Sequence, residues 1–139
     1  MNVKKLKNQK NELKSAATYA EESDESYYQQ TIATLYAAYE AYLQKTKSLD
    51  FDDLLEKTVL LLEISPEARE FYDNRWQYVH IDEYQDTNRA QYILSKILAS
   101  THGNITVVGD VDQAIYSWRG ADWRNILQFE LDWPDVRVI

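Results

Sequence analysis

The sequence predicts an α/β protein in which a helical front part precedes a parallel sheet with flanking helices. Two observations carry that expectation. Only three glycines and two prolines occur in 139 residues, and the first glycine is Gly103, so the first hundred residues hold few helix breakers. From Trp76 onward, short apolar runs alternate with helix-like stretches, the pattern of a parallel sheet covered by helices.

The elements follow in order. Between Tyr28 and Gln44 the set Ile32, Leu35, Tyr36, Tyr39, Tyr42 and Leu43 recurs at steps of three and four, which predicts one packed helix face. Asp50 suits the cap of a helix whose apolar face is Phe51, Leu54, Leu55, Thr58, Leu61 and Leu62. Ser65, Pro66 and Glu67 supply the cap, first-turn proline and acidic first turn of another helix, ending near Asn74. Trp76 to Ile81 is a β-prone run that stops at Asp82 and Glu83. Thr87 then suits the cap of a helix carrying Ala90, Ile93, Leu94, Ile97 and Leu98 and closing at Gly103. A second apolar run, Ile105 to Val108, ends in Gly109 and Asp110. A third, Val136 to Ile139, follows a helix that Asp122 is placed to cap.

Composition narrows the function classes. Fifteen basic against twenty-three acidic residues give a formal charge of -8, so the chain as a whole lacks the basic footprint of a stand-alone nucleic-acid binder. The excess is uneven: residues 1–14 hold Lys4, Lys5, Lys7, Lys10 and Lys14 against Glu12, a cluster that reads as a solvated helix face because no aromatic is interleaved with it. The absence of cysteine excludes a disulfide framework and a cysteine zinc site. The basic start lacks the apolar core of a secretory signal, and no membrane span is expected, so a cytoplasmic home is the default.

Ligands of parallel sheets bind at the carboxyl ends of strands, and the sharpest polar clusters fall there. Asp82 and Glu83 directly after a strand fit two tasks, holding a Mg²⁺ ion through oxygen ligands and water, or polarising a water for attack on phosphorus. Taken alone the pair fits a turn or a helix start equally well. His80 and His102 are isolated and do not read as metal ligands; His80 reads as packing in or beside the strand, and Trp76, Trp123 and Trp133 as packing residues.

The neighbourhood sharpens the reading. The block His80-Ile81-Asp82-Glu83-Tyr84-Gln85-Asp86-Thr87-Asn88-Arg89-Ala90-Gln91 and the block Val107-Val108-Gly109-Asp110-Val111-Asp112-Gln113-Ala114-Ile115-Tyr116-Ser117-Trp118-Arg119-Gly120-Ala121-Asp122 resemble the DExx box (motif II) and motif III of superfamily 1 DNA helicases of the UvrD/Rep/PcrA type, and PcrA-type members in particular. Ser48 to Leu55 resembles a further stretch of that family, and the likeness runs from about Tyr36 to Ile139. The resemblance implies part of a RecA-like P-loop NTPase domain preceded by a helical segment, with residues 1–48 in the helical 1B-like subdomain and 49–139 in the RecA-like 1A motor domain. It implies ATP and Mg²⁺ as cofactors, single-stranded DNA and duplex junctions as partners, and a cytoplasmic, nucleoid-associated place in DNA repair or replication. By position, Asp82 would partner Mg²⁺, Glu83 would activate the attacking water, and Gln113 would sense the γ-phosphate. Tyr116 and Trp118 would be platforms for stacked bases, and Arg119 a contact to DNA or a link to the nucleotide site. Gln85 and Asp86 also match, and fit either a tie to motif III or a turn and cap. Stacking suits a motor that tracks any sequence, since every base offers a π-face worth roughly 1–3 kcal/mol.

Two positions depart from the family pattern: Ala114 stands where serine is common, and Ser117 where a basic residue often precedes the tryptophan. The larger departure is the phosphate loop. A P-loop needs G-x-x-x-x-G-K-[ST], whereas the glycines here are 103, 109 and 120 and no lysine follows Lys96. The family places that loop ahead of the matched region, so the expectation is a helicase piece, inactive on its own, with strand 105–108 presenting an edge that either pairs with 136–139 or self-associates. Two other classes compete. One is a Mg²⁺-dependent phosphohydrolase or nuclease, which needs Asp82, Glu83, Asp110 and Asp112 to converge on a metal pair roughly 4 Å apart. The other is a non-enzymatic, acidic helical interaction module.

Overall fold

The computed structural model describes residues 8–23 and 26–139, and Lys4, Lys5 and Lys7 lie outside them. Residues 8–11 are helical and lead into α1 (Ala16–Glu22), capped by Ser15, whose Oγ accepts from the Thr18 N–H. Next come α2 (Tyr27–Thr46), α3 (Phe51–Ile64), α4 (Pro66–Arg75), β1 (Val79–Ile81), α5 (Arg89–Ala99), β2 (Ile105–Val107) and α6 (Arg124–Asp132). Short 3-10 turns at Tyr84–Asp86, Val111–Gln113 and Ser117–Arg119 join the later elements. Among the described residues the sheet has two strands, β1 and β2, parallel and in register Val79 with Ile105 and Ile81 with Val107.

The helix starts are set locally. Asp50 and Asp53 form a reciprocal capping box at α3, and Ser65 caps α4 with Pro66 in its first turn, as the sequence predicts. At α5 the cap is Asn88, in a box with Gln91, and not Thr87. Thr87 is buried because its hydroxyl donates to the Tyr84 carbonyl, so it closes the turn before the helix. At α6 the cap position is Trp123, which makes no side-chain cap bond, and not Asp122, which lies one residue earlier and accepts from the Arg124 N–H.

The main core lies between the sheet, α5 and α6. Tyr84, Tyr92 and Phe129 are buried there, with Ile81, Ile93, Ile105, Val107, Ile126 and Trp133 against them. Tyr84 meets Phe129 edge to face at 5.7 Å. Trp133 packs on Phe129 as expected. Trp76 instead leans on Tyr72 with much of its ring in solvent, and Trp123 is likewise exposed.

Other expectations are corrected. The stripe on α2 is half right: Ile32, Tyr36 and Leu43 are buried, while Leu35, Tyr39 and Tyr42 are exposed. On α3 the buried face is Asp53, Glu56, Val59 and Leu62, and Phe51 is 84% exposed. Charge turns that helix. Lys10, 1% exposed, holds Glu40 at 2.7 Å and Asp50 and Asp53 at 3.0 Å, drawing acidic residues inward. Lys10 is therefore no part of a solvated basic face. Nor is Val136–Ile139 a strand: Val136 packs against the core beside Ile105 and Val107 while its N–H turns back to the Trp133 carbonyl at 2.9 Å, and the segment borders a trough of about 870 Å³ with β2. The edge of β2 thus does not pair with 136–139. No helix among the described residues is long and apolar enough to cross a membrane.

Candidate nucleotide and DNA site at the strand ends

Both strands end in the same direction, and the loops that leave them are laced together. The Val108 N–H donates to the Ile81 carbonyl at 2.8 Å and the Tyr84 N–H to the Val108 carbonyl at 3.0 Å. Beneath the lacing sits Tyr84, almost fully buried, which anchors the first loop in the core. Asp82 and Glu83 therefore leave β1 with side chains in solvent while the next residue is pinned. Glu83 adopts a left-handed backbone, φ 52° and ψ 42°, the bend that reverses the chain into the turn Tyr84–Asp86. The Asp82 carboxylate accepts the Glu83 N–H at 2.8 Å, which steadies that bend.

Gln85 joins the two loops. It is 1% exposed, donates from Nε2 to Glu83 Oε2 at 2.6 Å, and accepts the Asp110 N–H on Oε1 at 3.0 Å. Gly109 makes room for it, since a Cβ there would stand 2.7 Å from that amide oxygen. Asp110 divides its carboxylate between the Asp112 N–H at 2.9 Å and Gln113 Nε2 at 2.8 Å. Glu83 and Gln113, singled out from sequence, are thus linked through Gln85 and Asp110. Sequence reasoning left Gln85 between two interpretations and weighed Asp110 only as a metal ligand; an amide two residues past the acidic pair and a Gly-Asp step after a strand were the available signals.

Beyond Gln113 the chain turns through Ala114 to Tyr116. The rings of Tyr116 and Trp118 lie 6.4 Å apart with planes inclined 48°, and Trp118 is 53% exposed. Arg119 closes the 3-10 turn Ser117–Arg119, and only its backbone is described. Both rings are partly exposed on the loop after β2. Behind them Asn125 donates from Nδ2 to the Thr87 carbonyl and hydroxyl, both at 3.0 Å, and the Asp122 N–H donates to the same carbonyl at 3.0 Å. The two loops and α6 are thereby tied into one frame.

The arrangement suits a hydrated divalent cation better than a metal pair. Asp82 offers a carboxylate at the strand end, and Mg²⁺ is commonly held by one or two carboxylates with water and phosphate completing its shell. A nuclease-like pair is not built: among the described residues no three of His, Asp and Glu stand together in a way that could hold a metal, so Asp82, Glu83, Asp110 and Asp112 do not converge. Asp110 is occupied by Gln113 and its own turn.

Comparison with known proteins agrees in kind. Residues 1–134 match the family described as the UvrD/REP helicase N-terminal domain. The ATP-dependent DNA helicase PcrA of Staphylococcus aureus (strain Mu50) is 52% identical over 134 residues, which is 96% of this chain and 18% of that protein. The protein of the same description from Staphylococcus epidermidis (strain ATCC 12228) is 49% identical over the same shares. The chain spans about 18% of the length of these relatives. With the family matched over nearly its whole length, this chain belongs to the UvrD/REP helicase N-terminal domain family.

Proposed function

We propose that this chain is the part of an ATP-dependent DNA helicase that carries the water-activating carboxylate and a platform for single-stranded DNA. The whole protein couples ATP hydrolysis to 3′-to-5′ translocation and unwinds duplex at its junction with a single strand. The observation that carries the reading is the adjacency of the two strand ends, with Glu83 and Gln113 linked through Gln85 and Asp110. Glu83 accepts a proton from the attacking water, and Asp82 would hold Mg²⁺ through water. That ion, when bound, neutralises phosphate charge. Gln113 reads the γ-phosphate from its tether on Asp110, and Tyr116, Trp118 and Arg119 receive the DNA.

In this reading residues 1–48 are the helical part of a 1B-like subdomain and 49–139 part of a RecA-like 1A motor domain. The protein works in the cytoplasm, at the nucleoid, in DNA repair or replication. The 139 residues alone hydrolyse no ATP, since they contain no Gly-Lys phosphate cradle. The open edge of β2 makes self-association of the isolated chain the expected state. In the whole protein, DNA-stimulated ATP turnover should fall about 10²–10⁴-fold on Glu83→Gln, the range of a lost general base. Unchanged turnover in that variant refutes the assignment. Turnover by the purified 139-residue chain that disappears on Glu83→Gln refutes its inactivity, and a monomer by light scattering refutes self-association.

A further inference from the structure

Gln85 spends its side chain on neither of the local jobs its position suggests. The turn Tyr84–Asp86 is closed by backbone, with the Asp86 N–H donating to Glu83 and the Thr87 N–H to Tyr84, and α5 is capped by Asn88. The amide instead spans two loops, and burying a primary amide is costly unless both of its ends are satisfied. Its orientation is forced: the carboxylate of Glu83 needs a donor and the N–H of Asp110 needs an acceptor, so only one of the two amide flips serves both. The fit is close, because a Cβ at Gly109 would stand only 2.7 Å from the amide oxygen. From Asp110 the contact continues to Gln113, and three residues on lies Tyr116, the ring partner of Trp118.

We propose that Gln85 is a positioning residue that sets the Glu83 carboxylate according to where the 110–113 turn stands, so that DNA on the Tyr116–Trp118 pair adjusts the water-activating group through one buried amide. This rests on the functional reading above. A shift of the Asp110 N–H draws on Oε1 of Gln85, and the rigid amide plane carries the shift to Nε2 and so to Glu83. Gln85 touches no reacting atom in this scheme. Its loss disconnects the DNA signal and leaves nucleotide binding in place.

The test is Gln85→Met in the whole protein, a change of similar length and volume that makes neither hydrogen bond. The expected result is a fall in DNA-stimulated kcat of about 10–100-fold, the usual cost of removing a partner that orients a working side chain. KM for ATP should stay within about twofold, as for an interaction made only in the activated state. A folded Gln85→Met protein with unimpaired DNA stimulation overturns the inference, provided Glu83→Gln lowers turnover by about 100-fold or more in the same assay; turnover indifferent to Glu83→Gln overturns the functional reading instead. Should Gln85→Met fail to fold, the unaltered 139-residue chain gives a second measurement. On adding an oligothymidylate without nucleotide, the Gln85 side-chain amide signals in a ¹H–¹⁵N spectrum should move together with the Trp118 indole signal. An indole that moves while the Gln85 amide stands still rules the coupling out. If neither moves, the DNA platform fails and the inference fails with it.

Discussion

The surroundings of Lys10 and the loops at the strand ends both bring carboxylates together, and they treat them in opposite ways. Around Lys10 each acidic group is spent on structure. Asp53 is fully buried, bonded to Lys10 and Lys57 and closed into the α3 capping box, while Asp50 also accepts from the Tyr39 hydroxyl at 2.9 Å. Burial alone would push both aspartates up, but the backbone N–H bonds of the capping box together with Lys10 hold them below the usual carboxylate range. Lys10 is itself disfavoured by burial, yet bonds to Glu40, Asp53 and Asp50 raise it above its ordinary value. At the strand ends, Asp82 and Glu83 stay in solvent, and the buried member is a neutral amide. Where charge fastens helices it is paired with lysine on the spot; at the strand ends it is left facing solvent.

The comparison can be broken most severely at Lys10. Lys10→Met leaves Asp53 buried without its main cation, and loss of one member of such a group costs about 3–5 kcal/mol, to be read from urea unfolding at neutral pH. Next comes Gly109→Ala, whose added methyl meets the Gln85 amide at 2.7 Å and Ile126 at 3.2 Å. Overpacking of this kind costs about 1–3 kcal/mol, and the Gln85 amide signals should shift even if the fold holds. Acid tests the Lys10 cluster through its ionisation. With folded values depressed, Asp50 and Asp53 contribute stability that is present above the unfolded value of about 3.9 and lost as pH falls through their lower folded values. Glu56 is raised by burial, so its contribution runs the other way, greatest in acid and lost as pH rises through its folded value, and it offsets part of the loss. Unfolding midpoints from pH 6 down to about 2 should therefore drop in the parent chain and drop much less in Lys10→Met. Smallest is Glu83→Gln, which changes an exposed group and should move stability by no more than about 0.5 kcal/mol even if turnover falls as the proposed role of Glu83 requires.

Much of this was legible in the order of residues alone. Capping boxes and prolines are local, so Asp50, Ser65 and Pro66 were found where their chemistry put them. The strand-to-acid step at Ile81 and Asp82 and the Gly-Asp step at 109 and 110 were equally local, and with them the candidate site. Periodicity misled on α3, because an apolar stripe shows what can be buried, and only the distant Lys10 supplies the partner that lets Asp53 be buried instead. Val136–Ile139 has the composition of a strand but joins no ladder, the Val136 N–H turning back to the Trp133 carbonyl at 2.9 Å, and pairing depends on neighbours that composition does not specify. Thr87 and Asn88 are both good caps, and the buried bond of Thr87 to Tyr84 decided between them. The double role of Gln85 was invisible in one dimension, since its second partner lies 25 residues away.

The left-handed backbone at Glu83 sets durability against work at a single residue. Side chains other than glycine, and to a lesser degree asparagine, give up about 1 kcal/mol or more to sit there, so selection of variants for heat resistance alone would drift toward Gly or Asn at 83 and, on the proposed role of Glu83, return robust but idle proteins.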